Sequence, residues 1–168
     1  TVAEPEGPLV LPGEYRLRLT AAGRTLTQPL RVENDPRVHV ADSALANQLR
    51  LALEIWNMMA EQYALRVAVR GVRDQLRPTA VPSLDSIAQG AGDGALAGLE
   101  TVVESADRQP TQQSRDVFDG ARARLARAQR RWQEFVTKDL PVLNAQRARQ
   151  HLSPVTAPAL TPDAIAIP

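Results

Sequence analysis

Apolar and polar residues alternate strictly near the start of the chain, over the segment YRLRL that begins at residue 15. This period of two predicts a β-strand, and a second strand over roughly residues 25–32 returns after a turn in which Gly23 can take a positive φ. Pro29 lacks an N–H, so we expect the return strand to lie at a sheet edge or to break there. The two strands would share one apolar face: Tyr15, Leu17, Leu19, Leu26, Leu30 and Val32.

After the hairpin, the hydrophobic pattern changes to the spacing of α-helices. A first long helix is predicted from a cap at Asp42 or Ser43 to about Arg77, before Pro78. Its apolar residues form two successive stripes, which predicts a change of packing partner along the helix. The first stripe is Leu45, Leu49, Ala52, Trp56, Met59 and Tyr63, and the second is Leu65, Val69, Val72 and Leu76.

The second half of the chain contains the cleanest helical pattern. Apolar residues recur there at steps of three and four: Phe118, Ala121, Leu125, Ala128, Trp132 and Phe135. Pro141 predicts a kink, with Asp139 able to cap a short helix that continues to about His151. Before this helix, residues 84–106 are weaker, because four glycines fall between positions 90 and 98. We expect a broken start there and firm helix only from Ala95 to Ser105, although small residues could also allow close helix approach.

These elements predict a mainly α protein: an antiparallel up-down-up bundle of about three long helices, preceded by a β-hairpin and flanked by Pro-rich extended tails. The expected division is a lead-in and hairpin over 1–38, the bundle over 39–151 and a Pro-rich tail over 152–168. An isolated two-stranded hairpin is marginal in water, so this hairpin needs a surface to cover it.

Composition narrows the chemistry. The 168 residues include 43% hydrophobic but only 4% aromatic residues, so Leu, Val and Ala must build the core. The net charge is +1, which gives no general attraction to nucleic acid or anionic lipid. Cysteine is absent, which excludes disulfides and thiolate chemistry.

No motif of an active site is present. His39 and His151 fall in different predicted loops, without carboxylates at metal-ligand spacing. The carboxylate pairs Glu100/Glu104 and Asp116/Asp119 are expected to be solvated on helix surfaces, since acid–base catalysis needs carboxylates that converge on a cleft. We therefore expect no enzyme activity and no catalytic, metal-binding or cofactor-binding residue.

The arginine-rich segment ARARLARAQRRW is the one marked charge feature. It could bind phosphates, acidic lipid head groups or an acidic protein surface, but a solvated face with ion pairs to neighbouring glutamates is the favoured interpretation. The candidate contacts to partners in this part of the chain are Arg122, Arg127 and Arg130. In the tail they are Pro154, Pro158 and Pro162.

Three segments together resemble a known family: PGEYRLRLTAAGRTLTQPLRVENDPRV, SADRQPT and DLPVLNAQRARQHLSPV. They are similar to the C-terminal region of bacterial secreted proteins with β-propellers of BNR (sialidase-like) or sortilin-like repeats, described as glycosyl hydrolase-like or photosystem assembly-factor-like. The resemblance spans about residues 12–155. It is carried by Gly13, Tyr15, Leu19, Gly23, Thr27 to Leu30, Asp35 to Arg37, Ala106, Asp107, Pro110, Thr111 and Asp139 to Asn144.

The resemblance implies that the hairpin closes a small immunoglobulin-like β-domain, with a helical segment after it. Its motifs are structural, and the propeller is not part of this sequence, so no catalytic residue carries over. The favoured function is a non-catalytic structural or interaction subunit, periplasmic or extracellular, that docks on other proteins of a larger complex and meets a membrane only through that complex. The alternatives are an accessory domain of a β-propeller hydrolase-like protein and, third, an arginine-driven binder of nucleic acid or anionic lipid.

Overall fold

A computed structural model describes residues 7–92 and 94–161. It confirms a mainly helical chain that begins with a two-stranded antiparallel β-hairpin. The elements are β1 (Gly13–Ala21), β2 (Arg24–Val32), α1 (Asp42–Leu76), α2 (Pro82–Gly90), α3 (Ala95–Glu104), α4 (Gln112–Glu134), a π-helical turn (Phe135–Asp139) and α5 (Leu140–Arg149). In the described part of the chain no helix is both long and apolar enough to span a bilayer.

Two side-chain contacts establish the direction of α3 against α1. Gln48, near the start of α1, donates to the carbonyl oxygen of Val103 at the end of α3. Gln62, further along α1, lies directly beside Gly92, just before α3 begins. The two helices therefore run antiparallel.

Helix α4 runs parallel to α1. Arg115, in the first turn of α4, lies 3.3 Å from a carboxylate oxygen of Glu54. Gln129, four turns later, donates over 3.0 Å to Glu61, two turns further along α1. The order of directions is thus up for α1, down for α3 and up for α4, as predicted. Only α1 and α4 are long, however, since α3 has 10 residues.

The apolar stripe of α4 forms the centre of the core. All six residues predicted from its spacing are buried: Phe118, Ala121, Leu125, Ala128, Trp132 and Phe135. These residues are buried because α4 packs against three other helices, α1, α2 and α3. The rings of Trp132 and Phe135 stack with their centroids 5.8 Å apart.

The second predicted stripe of α1 is buried in full, but the first stripe is partly wrong. Tyr63 is 64% exposed, and three residues outside the predicted stripe are buried in its place: Leu51, Ile55 and Met58. Because α1 packs against α2, α3 and α4, its buried arc is wider than the seam of a helix with one partner. The prediction of a single heptad stripe therefore placed the centre of the buried arc at the wrong residues.

Helix α2 was missed by the sequence interpretation, which expected a broken start in this region. Pro82 occupies the first turn of the helix, where its missing N–H costs no hydrogen bond. At the other end, a Cβ added to Gly90 would stand 2.9 Å from the Cβ of Ala128 on α4. Close helix approach, the less favoured alternative for these glycines, is therefore the structural reason for Gly90, whereas Gly92 and Gly94 supply positive φ in the turn.

The predicted helix caps differ from those observed. Ala41 precedes α1 and makes no side-chain cap, so neither Asp42 nor Ser43 is the cap residue. Asp139 has helical φ and ψ and caps nothing. Instead of a restart, the helix continues through a π-helical turn in which the Leu140 N–H donates to the Phe135 carbonyl. The wider turn accommodates Pro141, which lacks an N–H for the ordinary bond.

Gln48 is a buried polar residue that ties α1 to the end of α3. Its Nε2 donates to the carbonyl oxygens of Val103 (2.7 Å) and Ala106 (2.9 Å). Its Oε1 accepts from the Arg108 N–H at 3.4 Å. Carbonyl groups at a helix C-terminus lack partners within the helix, so this side chain replaces a local cap.

We expect the glycines of α2 and α3 to respond oppositely to alanine. Gly90→Ala should lower the free energy of unfolding by about 1–3 kcal/mol, because the new methyl overlaps Ala128. Gly98→Ala should raise it by about 1 kcal/mol, because nothing lies within 4 Å of the added Cβ and alanine favours helix. Urea unfolding followed by circular dichroism measures both, and equal effects of the same sign would refute the close contact.

Gln48→Leu should destabilise the bundle by about 1–3 kcal/mol, because a leucine of similar size leaves the Val103 and Ala106 carbonyls without a donor. The matched control is Gln113→Leu, at an exposed position of α4, which should change stability by less than about 0.5 kcal/mol. Thermal unfolding of the two variants separates these outcomes.

Candidate functional site

The hairpin has one apolar and one polar face, as the alternation predicted. Its strands pair without a bulge from Gly13 opposite Val32 to Ala21 opposite Arg24. Directly opposed residues share a face, so the six predicted residues lie together, with Gln28 among them opposite Leu17: Tyr15, Leu17, Leu19, Leu26, Leu30 and Val32. Ala22 and Gly23 form the turn with φ of 49° and 74°, the positive pair that a type I′ turn requires.

This apolar face is open. Leu17, Leu19 and Leu26 are 55%, 64% and 69% exposed, and Leu30 is 40% exposed. Tyr15 and Val32, at the root of the hairpin, are half-buried. No helix of the described chain packs over the leucines, so the bundle does not supply the cover that a two-stranded sheet needs.

The two edges of the hairpin differ. In a hairpin closed by a two-residue turn, hydrogen-bonded and non-hydrogen-bonded pairs alternate from the pair next to the turn, and residues of non-hydrogen-bonded pairs point their N–H outward. Pro29 falls in such a pair opposite Arg16, so the strand continues through it without losing an internal bond. The outer edge of β2 lacks one donor there, whereas the outer edge of β1 keeps all of its donors.

The lead-in segment connects the root of the hairpin to the bundle. The Tyr15 hydroxyl donates to the Leu11 carbonyl at 2.7 Å, and the Leu9 N–H donates to Glu104 at the end of α3 at 3.2 Å. A cavity of about 210 Å³ lies between the lead-in over 9–12, the segment 33–35 and the start of α1. The hairpin is therefore attached at its root while its leucines stay in solvent.

Glu104 is the carboxylate whose environment departs from the sequence expectation. Partial burial raises its pKa, and a hydrogen bond with Glu100 raises the pKa further. The bond from the Leu9 N–H acts in the opposite direction and is weaker in effect. The i,i+4 spacing of this pair was visible in the sequence, but the contact of Glu104 with Leu9, 95 residues away in the chain, was not.

The three arginine candidates of α4 do not form one surface. Arg122 lies over the ring of Phe118, with its guanidinium carbon 4.9 Å from the ring centroid. Arg127 lines a groove between α4 and α2, and Arg130 is exposed outside that groove. Arg124 and Arg131, which were not among the candidates, line the groove with Arg127. Their spacing of three and four residues was the signal for a shared face.

The described part of the tail, residues 152–161, lies against α1. Val155 is buried, and Thr156 exchanges hydrogen bonds with Gln75 near the end of α1. Of the proline candidates, Pro154 is exposed, and Pro158 lies beside Tyr63 in a shallow groove on α1. Pro162 lies outside the described residues.

The remaining titratable residues considered from the sequence do not form a cluster. His39 and His151 are both exposed, and no group of three or more potential metal ligands occurs among residues 7–92 and 94–161. In the second carboxylate pair, Asp116 accepts a hydrogen bond from Gln112 on the surface of α4.

Comparison of the chain with models of protein families, with curated proteins and with solved structures gave no match. The hairpin face and the arginine groove must therefore be interpreted from their own chemistry.

Glu104→Gln should make the pH dependence of stability flatter. Because the folded-state pKa of Glu104 is raised above its ordinary value, the native state holds this proton more tightly than the unfolded state. Stability is therefore lost as pH rises from the ordinary glutamate pKa through the raised value. Urea unfolding from pH 4 to 8 should show an advantage of the Glu104→Gln variant over the unaltered chain that grows with pH. This advantage should stay below about 1 kcal/mol, because the carboxyl group is only partly buried and solvent screens it. Parallel curves for the two proteins would contradict this.

Proposed function

We propose that this chain is a non-catalytic interaction module that docks on a partner protein through its hairpin, within a larger assembly outside the cytoplasm. The observation that carries this proposal is the open apolar face of the hairpin. Four leucines on one side of a two-stranded sheet remain in solvent although a bundle core is available in the same chain.

The energetics favour a partner for this face. Full burial of one leucine side chain is worth about 1.5–3 kcal/mol. A contiguous set of exposed apolar side chains is typical of a surface that another protein covers. The hairpin also projects from its root, so a partner can reach the face without disturbing the bundle.

The chemistry of the hairpin favours a β-rich, acidic partner. The outer edge of β1 presents N–H groups at Glu14, Arg16, Arg18 and Thr20, which is what an added strand pairs with. Pro29 makes the β2 edge the poorer template. Between residues 13 and 32, four arginines and one glutamate leave three net positive charges, so a complementary surface carries carboxylates.

The sequence resemblance to the closing strands of an immunoglobulin-like domain supports the choice of a β-rich partner. On that interpretation, the added strand belongs to a β-sandwich of which this hairpin forms two strands. The alternative, an accessory domain of a β-propeller hydrolase-like protein, rests on the same resemblance. The two differ in whether the partner strands belong to the same polypeptide.

Hydrogen exchange at single amides tests the proposal. In the isolated chain, the outward amides of Glu14, Arg16, Arg18 and Thr20 should exchange rapidly. In the assembly purified from its native cells, these four should be protected at least about tenfold, because they donate to the added strand. The outward amides of Thr25, Thr27 and Arg31 should remain fast.

Matched variants separate docking from folding. Leu19→Ser, on the apolar face, should abolish the protection of the β1 amides while the bundle unfolds at an unchanged temperature. Arg18→Ser, on the opposite face, should leave the protection largely intact. Protection confined to the β2 edge, or fast exchange along the whole hairpin in the assembly, would overturn the proposal.

A further inference from the structure

The groove between α2 and α4 concentrates positive charge. Arg124, Arg127 and Arg131 line it, together with Ser86 and Gln89 of α2, and its volume is about 290 Å³. The three arginines are exposed, and none of them forms a salt bridge within the described residues. No carboxylate of the described residues lines the groove.

On the side of α4 that faces α1, in contrast, a carboxylate neutralises an arginine. Arg115 is ion-paired with Glu54 of α1. On α2, Asp85 is directed to Arg73 of α1 and is therefore engaged away from the groove. The helix dipole at the C-terminus of α2 amounts to about half a negative charge, which leaves most of the charge of three guanidinium groups uncompensated.

The floor of the groove is rigid. Gly90 at the end of α2 lies against Ala128, where a Cβ on the glycine would be only 2.9 Å from that methyl. This contact fixes the distance between α2 and the face of α4 on which the three arginines stand at successive turns. The three arginines, Ser86 and Gln89 thus line one groove between two packed helices.

We propose that this groove binds a phosphomonoester group. A phosphomonoester carries about −1.5 to −2 charges at pH 7 with three strong acceptor oxygens, which matches three guanidinium donors better than a single carboxylate does. The groove is near the lower size limit of small-ligand sites, about 300 Å³. A nucleic-acid track would need further arginines aligned with these, but Arg122 stacks on Phe118 and Arg130 lies outside the groove.

Calorimetric titration of the full chain with inorganic phosphate and with phenyl phosphate tests this site. Saturable binding with a Kd of about 1 mM is expected. Arg127→Gln should weaken it about tenfold, since a charge-assisted contact is lost. Arg130→Gln removes the same charge outside the groove and should change the affinity less than about twofold, and circular dichroism confirms that both variants are folded.

Vesicles distinguish a soluble ligand from a lipid. Phosphatidylcholine vesicles with phosphatidic acid present a phosphomonoester. Vesicles with enough phosphatidylglycerol to carry the same total charge present only phosphodiesters. Binding of phosphate without vesicle binding indicates a soluble phosphomonoester, and a preference for phosphatidic acid that Arg127→Gln removes indicates a lipid source. Absence of saturable phosphate binding, or equal losses in Arg127→Gln and Arg130→Gln, would overturn the proposal.

Discussion

The burial of one face of α4 against three other helices is the constraint on which the rest of the structure depends. Its apolar stripe, which ends with Trp132 stacked on Phe135 of the following π-helical turn, is removed from solvent by α1, α2 and α3 together. With few aromatic residues in the chain, this stripe supplies two of the largest buried side chains. Once it faces inward, the positions of both flanks of α4 follow from the helical period.

The two sides of α4 that flank this stripe face different side chains. The flank toward α1 meets Glu54 and Glu61, which engage Arg115 and Gln129. The flank toward α2 carries Arg124, Arg127 and Arg131 against a helix that places no carboxylate in the groove. A chain with a net charge of only +1 can therefore hold a strongly basic site, because its compensating carboxylates lie elsewhere. Glu104, at the end of α3, is one of these distant carboxylates. It lies beside Glu100, and burial together with this neighbour raises its pKa.

Local interactions specify the hairpin, whereas long-range packing specifies the bundle. Its register and its turn are determined locally, by cross-strand pairs and by two residues of positive φ. Its apolar leucines, in contrast, receive no cover from the helices of the described chain. A hydrogen bond from Leu9 of the lead-in to Glu104 connects this region to the bundle. Local chemistry thus specifies the shape of the hairpin, and the helices of the described chain leave its leucines in solvent. This division is why the proposed docking function rests on the hairpin and the proposed ligand site rests on the bundle.

The amino-acid sequence by itself determined the features that depend on local spacing. These include the α4 stripe, the second stripe of α1, the start of α3 and the two-faced hairpin, since period and turn chemistry act between near neighbours. Only the tertiary structure decided how wide the buried arc of α1 is, which exposes Tyr63 and buries Ile55, because the number of neighbouring helices sets that width. It also decided that Gly90 serves a helix contact, and that Arg124 and Arg131 join Arg127 in one groove. Those outcomes depend on residues far apart in the chain, whose approach no local pattern encodes.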